Sequence, residues 1–132
     1  MKIRIYYEDT DAGGIVYHAN YIKYCERARS ESFLKENVAP FTKDGHFVVS
    51  HIDASYISPA KFGDILEITT KVKECKKASI LIEQKIYKIS SLEEENLQEL
   101  LFVALIKVVF VSNNKPTKMP DFLLEFITKK LM

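Results

Sequence analysis

The sequence predicts an α+β fold in which one long helix packs against one face of an antiparallel β-sheet. Two observations support this fold class. Several segments of strand character follow one another with only short polar turns between them, as in antiparallel hairpins, and a single long segment with helical periodicity precedes them. A sheet with an apolar face needs a layer to cover it, and the long helix is the element available.

A short strand, a polar loop and the long helix come first. Ile3–Tyr7 is β-branched and aromatic, as strands are, whereas Glu8–Gly14 is polar and contains two glycines, as loops do. Asn20 is expected to cap a helix that continues to about Glu36. The helical stripe that would face the sheet consists of Tyr21, Tyr24, Cys25, Ala28 and Ser32.

Strands occupy most of the remaining chain. Leu100–Val111 is apolar at nearly every position, which indicates a strand covered on both faces. Because one helix covers only one face, we expect a second copy of the chain to cover the other. Ser91–Glu99 carries four glutamates and is either a solvated connection or a short surface helix. The strands are predicted at Phe47–Ser58, Ile65–Cys75, Ser79–Ile89 and Leu100–Val111, and a last helix, with Phe122 on its apolar stripe, at Asp121–Leu131.

Composition and charge exclude several classes of protein. With 132 residues, the chain is expected to form one domain, residues 1–132. Nineteen Lys and Arg residues against eighteen Asp and Glu residues leave a net charge of +1, without the basic excess of a nucleic-acid-binding protein. No apolar run approaches the roughly 18 residues of a transmembrane segment, and the first residues turn acidic too soon for a signal peptide. We therefore expect a cytoplasmic protein.

The patterns of cysteine, histidine and glycine indicate neither a metal ion nor a cofactor. Cys25 and Cys75 form no Cys-x-x-Cys pair and are expected to be free thiols. His46 and His51 lack the spacing of a zinc ligand set. The glycine-rich phosphate-binding motifs of ATP- and NAD-binding proteins do not occur.

Residues 7–21 concentrate groups that could perform chemistry. Asp9, Asp11, two glycines and His18 lie in or beside the loop that leads into the helix. A helix start offers unpaired N–H groups that stabilise an oxyanion, and a nearby carboxylate can activate water or attack an acyl carbon. Loops before helices are also rich in Asp, Thr and Gly simply because these residues form turns and caps. The residues alone leave both interpretations open.

Three motifs resemble one known family along essentially the whole chain. They read YEDTDAGGIVYHANY before and into the helix, YCERAR within it, and ASYISPAKFGD before the third strand. Together they resemble the 4-hydroxybenzoyl-CoA thioesterase family, and in particular its YbgC-type acyl-CoA thioesterases, which are associated with the Tol–Pal gene cluster. The resemblance implies a hot-dog fold, an antiparallel sheet wrapped around one long central helix. It also implies dimers with active sites at the subunit interface, often assembled into tetramers.

The resemblance further implies roles for particular residues. The second aspartate of the family's Asp-x-Asp pattern falls on Asp11, which would act as nucleophile or as general base. Backbone N–H groups near His18 would hold the acyl oxygen, and the His18 side chain would orient water, help the thiolate to leave, or line the pocket. Asp9 is interpreted separately, from its position in the loop, as a residue that bonds backbone N–H groups and not as a second acid. The substrate-binding residues would be Tyr7, Gly14, Tyr17, Ser58, Pro59, Lys76 and Lys77, with the two lysines contacting CoA phosphates or forming a solvated turn.

Three functions are weighed. The leading one is hydrolysis of an acyl-CoA, or of an acyl-carrier-protein thioester, with no cofactor beyond the CoA of the substrate. The alternative is a non-catalytic scaffold that binds acyl thioesters or the carrier protein in phospholipid or envelope metabolism. Asp11 favours the enzyme, because a binding module has no need for a carboxylate beside an electrophilic carbonyl. A hydratase is disfavoured because the helix interior contains no histidine.

Overall fold

A computed structural model describes all residues, 1–132, and shows one sheet with one long helix against it. A 3-10 turn at Tyr7–Asp9 precedes the long helix, and a π turn at Ile127–Leu131 extends the last helix. The strands are β1 (Lys2–Arg4), β2 (His46–Tyr56), β3 (Ile65–Cys75), β4 (Ser79–Ser90), β5 (Glu99–Ser112) and β6 (Lys115–Pro116), and the helices are α1 (His18–Leu34) and α2 (Asp121–Phe126).

The strands form a six-stranded antiparallel sheet in the order β1-β3-β4-β5-β2, with β6 paired to β5. The α+β architecture predicted from the sequence is therefore confirmed. The register brings the end of β2, the start of β3, the end of β4 and the start of β5 to one end of the sheet. Helix α1 begins at this same end, where the Tyr56 hydroxyl donates a hydrogen bond to the His18 carbonyl oxygen (2.8 Å).

The core lies between α1 and the face of the sheet that it covers. The predicted stripe of α1 is confirmed at Tyr21, Tyr24, Cys25 and Ala28, which are all buried, whereas its fifth member, Ser32, is only half-buried. Tyr21 stacks on Phe102 of β5 with ring centroids 5.3 Å apart. Full burial of a large apolar side chain contributes about 1.5–3 kcal/mol. The sheet side of this layer consists of Leu66, Ile68, Val72, Ile80, Ile82, Ile86, Phe102, Ala104, Ile106 and Val108.

One polar cluster crosses this apolar layer. Gln84 of β4 is fully buried and accepts a hydrogen bond from the Arg29 guanidinium (2.9 Å). Its amide donates to the Cys25 carbonyl oxygen (2.8 Å) and to the Thr70 hydroxyl (3.0 Å). Burial lowers the pKa of Arg29 and raises that of the Cys25 thiol to about 11. The cluster fixes the rotation of α1 over the sheet, because its bonds join one helix to two strands.

Two boundaries near the N-terminus differ from those expected. Helix α1 starts at His18, so Asn20 is not its cap, and its side-chain amide donates instead to the Asp9 carbonyl oxygen (2.9 Å). The helix also ends at Leu34, two residues earlier than predicted. The first strand stops at Arg4, because the chain turns at Tyr7–Asp9 into the 3-10 turn.

In the second half of the chain, some apolar side chains are more exposed than the sequence predicts. Alternate residues of β5 face away from α1, and Leu105 and Lys107 among them are exposed, so the chain alone leaves the middle of this second face uncovered. Cover of the other face by a second copy stays a prediction. Residues 91–98 form turns and bends, not a helix, and Phe122 is 55% exposed although the helical stripe would bury it. None of the helices is long and apolar enough to span a membrane.

Candidate active site

A small hairpin formed by residues 9–17, here called the Asp11 hairpin, leads into α1. Tyr17 N–H donates to the Asp9 carbonyl oxygen (3.0 Å), and Asp11 N–H donates to that of Ile15 (2.8 Å). Gly14 N–H donates back to the Asp11 carbonyl oxygen (3.0 Å), and the loop closes with Gly14 at φ +82°. Three-residue hairpin loops of this kind need a left-handed residue before the returning strand, which is why glycine stands at position 14.

Asp11 lies at the tip of this hairpin with an exposed side chain. Its Oδ1 accepts a hydrogen bond from Gly13 N–H (2.8 Å), an Asx turn that orients the carboxylate. A Cβ atom at position 13 would lie 3.2 Å from the same oxygen, so a side chain there would crowd the carboxylate. Oδ2 accepts no hydrogen bond from the chain and stays available to a ligand or to water.

Asp9 ties the hairpin to α1. Its Oδ2 accepts from Tyr6 N–H (2.8 Å) and its Oδ1 from the Tyr24 hydroxyl (2.8 Å). Burial, together with this bond, raises the pKa of Tyr24, so the phenol remains a donor. The Asp9 backbone carbonyl also accepts from Tyr17 N–H and from the Asn20 amide. These contacts match the loop-fixing role expected for Asp9.

The start of α1 presents two free donors. The N–H groups of His18 and Ala19 lie in the first turn, too early to bond within the helix, and neither has another acceptor in the chain. They follow Tyr17, which is hydrogen-bonded to Asp9 across the hairpin. Asp11 lies two residues after Asp9, a distance of about 7 Å along the backbone at roughly 3.3 Å per residue. Two N–H groups at a helix N-terminus favour an oxygen that is gaining negative charge.

The His18 side chain is exposed at the same place. Its ring lies 4.5 Å from that of Tyr17 and 6.5 Å from that of Tyr56, measured between centroids. No hydrogen bond joins the side chains of His18 and Asp11. The two predicted catalytic residues therefore share one end of the sheet without forming a hydrogen-bonded pair.

A second loop, residues 58–64, supports the hairpin from the side. Val16 N–H donates to the Ala60 carbonyl oxygen (2.9 Å), and Ile15 bridges to Lys61. Ala60 N–H donates to the buried Tyr21 hydroxyl (3.0 Å), whose pKa burial raises. Tyr21 is therefore part of the core beneath the loop and does not line an open pocket. Ser58 uses its hydroxyl to bond Glu99 (3.1 Å).

Comparison with known proteins identifies the family to which these motifs and this fold belong. A sequence profile of the thioesterase-like superfamily matches residues 6–127. The chain belongs to this superfamily. It is 44% identical over 131 residues to the acyl-CoA thioesterase YbgC of Helicobacter pylori, covering 97% of this chain and 98% of that protein. The resemblance seen in the motifs is thereby confirmed.

Solved structures agree with this assignment. A probable thioesterase from Bartonella henselae superposes with a TM-score of 0.75 at 29% identity, over 91% of this chain and 96% of that one. The 4-hydroxybenzoyl-CoA thioesterase of Pseudomonas sp. strain CBS-3 shares the fold, with a TM-score of 0.81 at 22% identity and 95% coverage of both chains. The antiparallel sheet around a long helix is the hot-dog fold.

Around the hairpin, this thioesterase-superfamily chain exposes several aromatic side chains. Tyr7 is 83% exposed and meets the half-exposed Phe62 edge to face, with centroids 6.4 Å apart. Tyr17 is also exposed, and so is Pro59. The structure thus brings these residues to the same end of the sheet as Asp11, and it adds Phe62, which sequence reasoning missed.

The predicted phosphate-binding lysines lie elsewhere. Lys76 and Lys77 form the β3–β4 turn, whereas the Asp11 hairpin lies at the start of β3. The eleven residues of β3 separate them by about 33 Å at roughly 3.3 Å per residue. Lys76 pairs with Glu74 (3.3 Å) on the surface. One chain therefore does not bring these lysines to its own Asp11.

A cavity of about 300 Å³ between α1 and β2 was not foreseen from the sequence. Arg29 and Phe33 line it from α1, and Phe47 and Val49 from β2. No sequence motif marks it, because its walls come from elements that are distant along the chain. The described chain holds no cluster of three metal-binding side chains.

Proposed function

We propose that this chain is an acyl-CoA thioesterase, which hydrolyses the thioester to a free acid and CoA with Asp11 as general base or nucleophile. The observation that carries the proposal is the pairing of an exposed carboxylate at the hairpin tip with two unpaired N–H groups at the start of α1. These are the two parts that acyl transfer requires. The acyl-CoA thioesterase from Helicobacter pylori, at 44% identity, supports the same activity.

The chemistry follows from this placement. With the thioester carbonyl oxygen on the N–H groups of His18 and Ala19, the carbonyl carbon faces the Asp11 carboxylate. Asp11 either attacks this carbon, releasing CoA thiolate from a mixed anhydride that water then hydrolyses, or takes a proton from the water that attacks. Each N–H group that stabilises the developing oxyanion supplies about 3–4 kcal/mol. In this proposal, His18 orients the water, helps the thiolate to leave or lines the pocket.

The acyl group of this proposed substrate would lie between α1 and β2. The gap begins where Tyr56 bonds His18 and ends where the Phe33 and Phe47 rings meet at 6.4 Å, with the 300 Å³ cavity towards its far end. From His18 to Phe33 the helix advances about 22 Å. Exposed apolar residues of β2 line this gap, which favours a fatty acyl group. Equal rates from acetyl-CoA to palmitoyl-CoA would contradict this placement.

The CoA moiety and the assembly go together in this proposal. Lys76 and Lys77 cannot reach Asp11 of their own chain, so their contact with CoA phosphates requires a second subunit. β2 is an edge strand with exposed apolar residues, which suits a homo-oligomer, either a dimer or a tetramer. The alternative substrate is an acyl-carrier-protein thioester, in which the carrier protein takes the place of CoA. A purely monomeric protein in sedimentation equilibrium would remove the lysines from the proposed site.

The test is Asp11→Asn. Asparagine keeps an oxygen that accepts the Gly13 N–H bond, so the turn survives while the charge is lost. Since a positioned acid–base group contributes about 10²-fold or more, we expect kcat to fall by at least that factor. Thiol release from acyl-CoA esters of increasing length measures it. The control is Asp44→Asn, an exposed aspartate at the other end of the sheet, and a fully active Asp11→Asn enzyme would reject the mechanism.

A further inference from the structure

A buried aspartate and a largely buried lysine lie beneath the loop that supports the Asp11 hairpin. Asp64 is only 3% exposed, and its Oδ2 lies 3.4 Å from the Lys88 ammonium on β4. The same ammonium lies 3.6 Å from Glu99 of β5, which accepts the hydrogen bond from Ser58. We call these four residues the Asp64 cluster. Lys88 is its only cation, and its side chain is itself largely buried.

The Asp64 carboxylate shapes the turn above the cluster. Its Oδ2 accepts a hydrogen bond from Lys61 N–H (2.8 Å), while Asp64 N–H donates to the Lys61 carbonyl oxygen (3.1 Å). The turn closes through Gly63, whose φ is +85°. It is also joined to the chain after β1, because Ile5 N–H donates to the Asp64 carbonyl oxygen (2.9 Å). The carboxylate therefore decides where the Lys61 backbone lies.

The Lys61 backbone in turn holds the returning strand of the hairpin. Ile15 bridges to Lys61, and Val16 N–H donates to the Ala60 carbonyl oxygen (2.9 Å). Ile15 is the residue whose carbonyl oxygen accepts the Asp11 N–H. A continuous series of bonds thus runs from the Lys88 ammonium through Asp64 and the turn to the backbone of Asp11.

We propose that Lys88 is a positioning residue for thioester hydrolysis, which acts by holding the Asp64 turn and through it the Asp11 hairpin. This inference rests on the proposed function of Asp11. A carboxylate as buried as that of Asp64 is costly without a partner charge, so loss of Lys88 drives it to move towards solvent. This movement weakens its bond to Lys61 N–H and displaces the hairpin. When Lys88 is lost, the partly exposed Glu99 carboxylate can rotate into solvent, so the effect falls mainly on Asp64.

The kinetic test compares Lys88→Met with Lys85→Met, the same change on the same strand at a lysine that has no ion pair. Because a displacement of about 1 Å at a reacting group costs roughly 10²-fold, we expect Lys88→Met to lower kcat by 10- to 100-fold. The acyl-binding gap is untouched, so KM should stay within about two-fold. Lys88→Arg, which restores the cation, should recover most of kcat. An active Lys88→Met enzyme, or a loss equal to that of Lys85→Met, would overturn the proposal.

Amide hydrogen exchange tests the same inference without activity. Lys88→Met should speed exchange at Val16 N–H by at least ten-fold, relative to amides at the opposite end of the sheet. The double variant Asp64→Asn with Lys88→Met removes both charges and keeps an acceptor for Lys61 N–H, so protection at Val16 should return even if the single variant folds poorly. Unchanged exchange at Val16, or a double variant as unprotected as the single one, would refute the role. Absence of thioesterase activity in the wild type would reject the proposed function instead.

Discussion

Replacement of Gln84 by methionine should destabilise the protein through the three hydrogen bonds that this buried amide makes. Methionine has a similar length and no polar group. Two of the lost bonds are neutral and contribute about 1 kcal/mol each, whereas the bond from the Arg29 guanidinium contributes about 1.5–3 kcal/mol. Better burial of an apolar side chain offsets about 1–2 kcal/mol. We expect the free energy of unfolding to fall by about 1.5–4 kcal/mol.

Urea unfolding followed by circular dichroism measures this loss, with the variants read at equal protein concentration because oligomers gain stability by mass action. The largest single loss comes from leaving the Arg29 guanidinium buried without its acceptor. Arg29→Met together with Gln84→Met should therefore cost less than the sum of the two single changes, by at least 1 kcal/mol. A loss below 1 kcal/mol for Gln84→Met, or strictly additive changes, would refute the claim that these side chains stabilise the fold as a pair.

Two other outcomes are expected. Lys76→Ala with Lys77→Ala should raise KM for acyl-CoA and spare a truncated thioester without the nucleotide; Lys129→Ala with Lys130→Ala is the control, and equal effects on both substrates would contradict phosphate binding. Burial raises the pKa of Cys25 from about 9 to about 11, so the folded state holds this proton more tightly. Stability from this group is complete below pH 9, and the unfolding free energy should fall by roughly 2–3 kcal/mol between pH 9 and 11, less so in Cys25→Ala.

Elements with strong local patterns were predictable from the sequence. Ile65–Cys75 was placed to the residue, because strict alternation on a half-buried strand leaves only one register. The buried stripe of α1 was equally clear from its spacing. The start of α1 was misplaced because its first turn is fixed by the backbone carbonyl of Asp9, eleven positions before Asn20. No property of Asn20 itself distinguishes a helix cap from this more distant contact.

The residues of the candidate site also differ in how well the sequence predicts them. Asp11 and His18 could be proposed from the sequence because the motif that carries them is contiguous, and their catalytic roles stay predictions. The polar cluster around Gln84 could not be predicted, because Arg29 and Gln84 are 55 positions apart in the sequence. Each is a residue type that usually lies on the protein surface. The Asp64 cluster and the cavity beside α1 depend likewise on strands that meet only in the folded sheet. For Lys76 and Lys77, the sequence shows the positive charge but not the location, and their distance from Asp11 became evident only in the folded sheet.

Asp11 can serve both as a turn-forming residue and as a catalytic carboxylate, which is why the sequence of its loop left both interpretations open. Its turn needs only an oxygen that accepts the Gly13 N–H, and asparagine or serine would provide one. The negative charge adds little to a turn that is exposed to water. In the proposed mechanism, the charge adds reactivity towards a carbonyl carbon that the N–H groups of His18 and Ala19 would hold. The aspartate at this position is therefore better explained by the chemistry than by the turn, and Asp11→Asn separates the two because it changes only one of them.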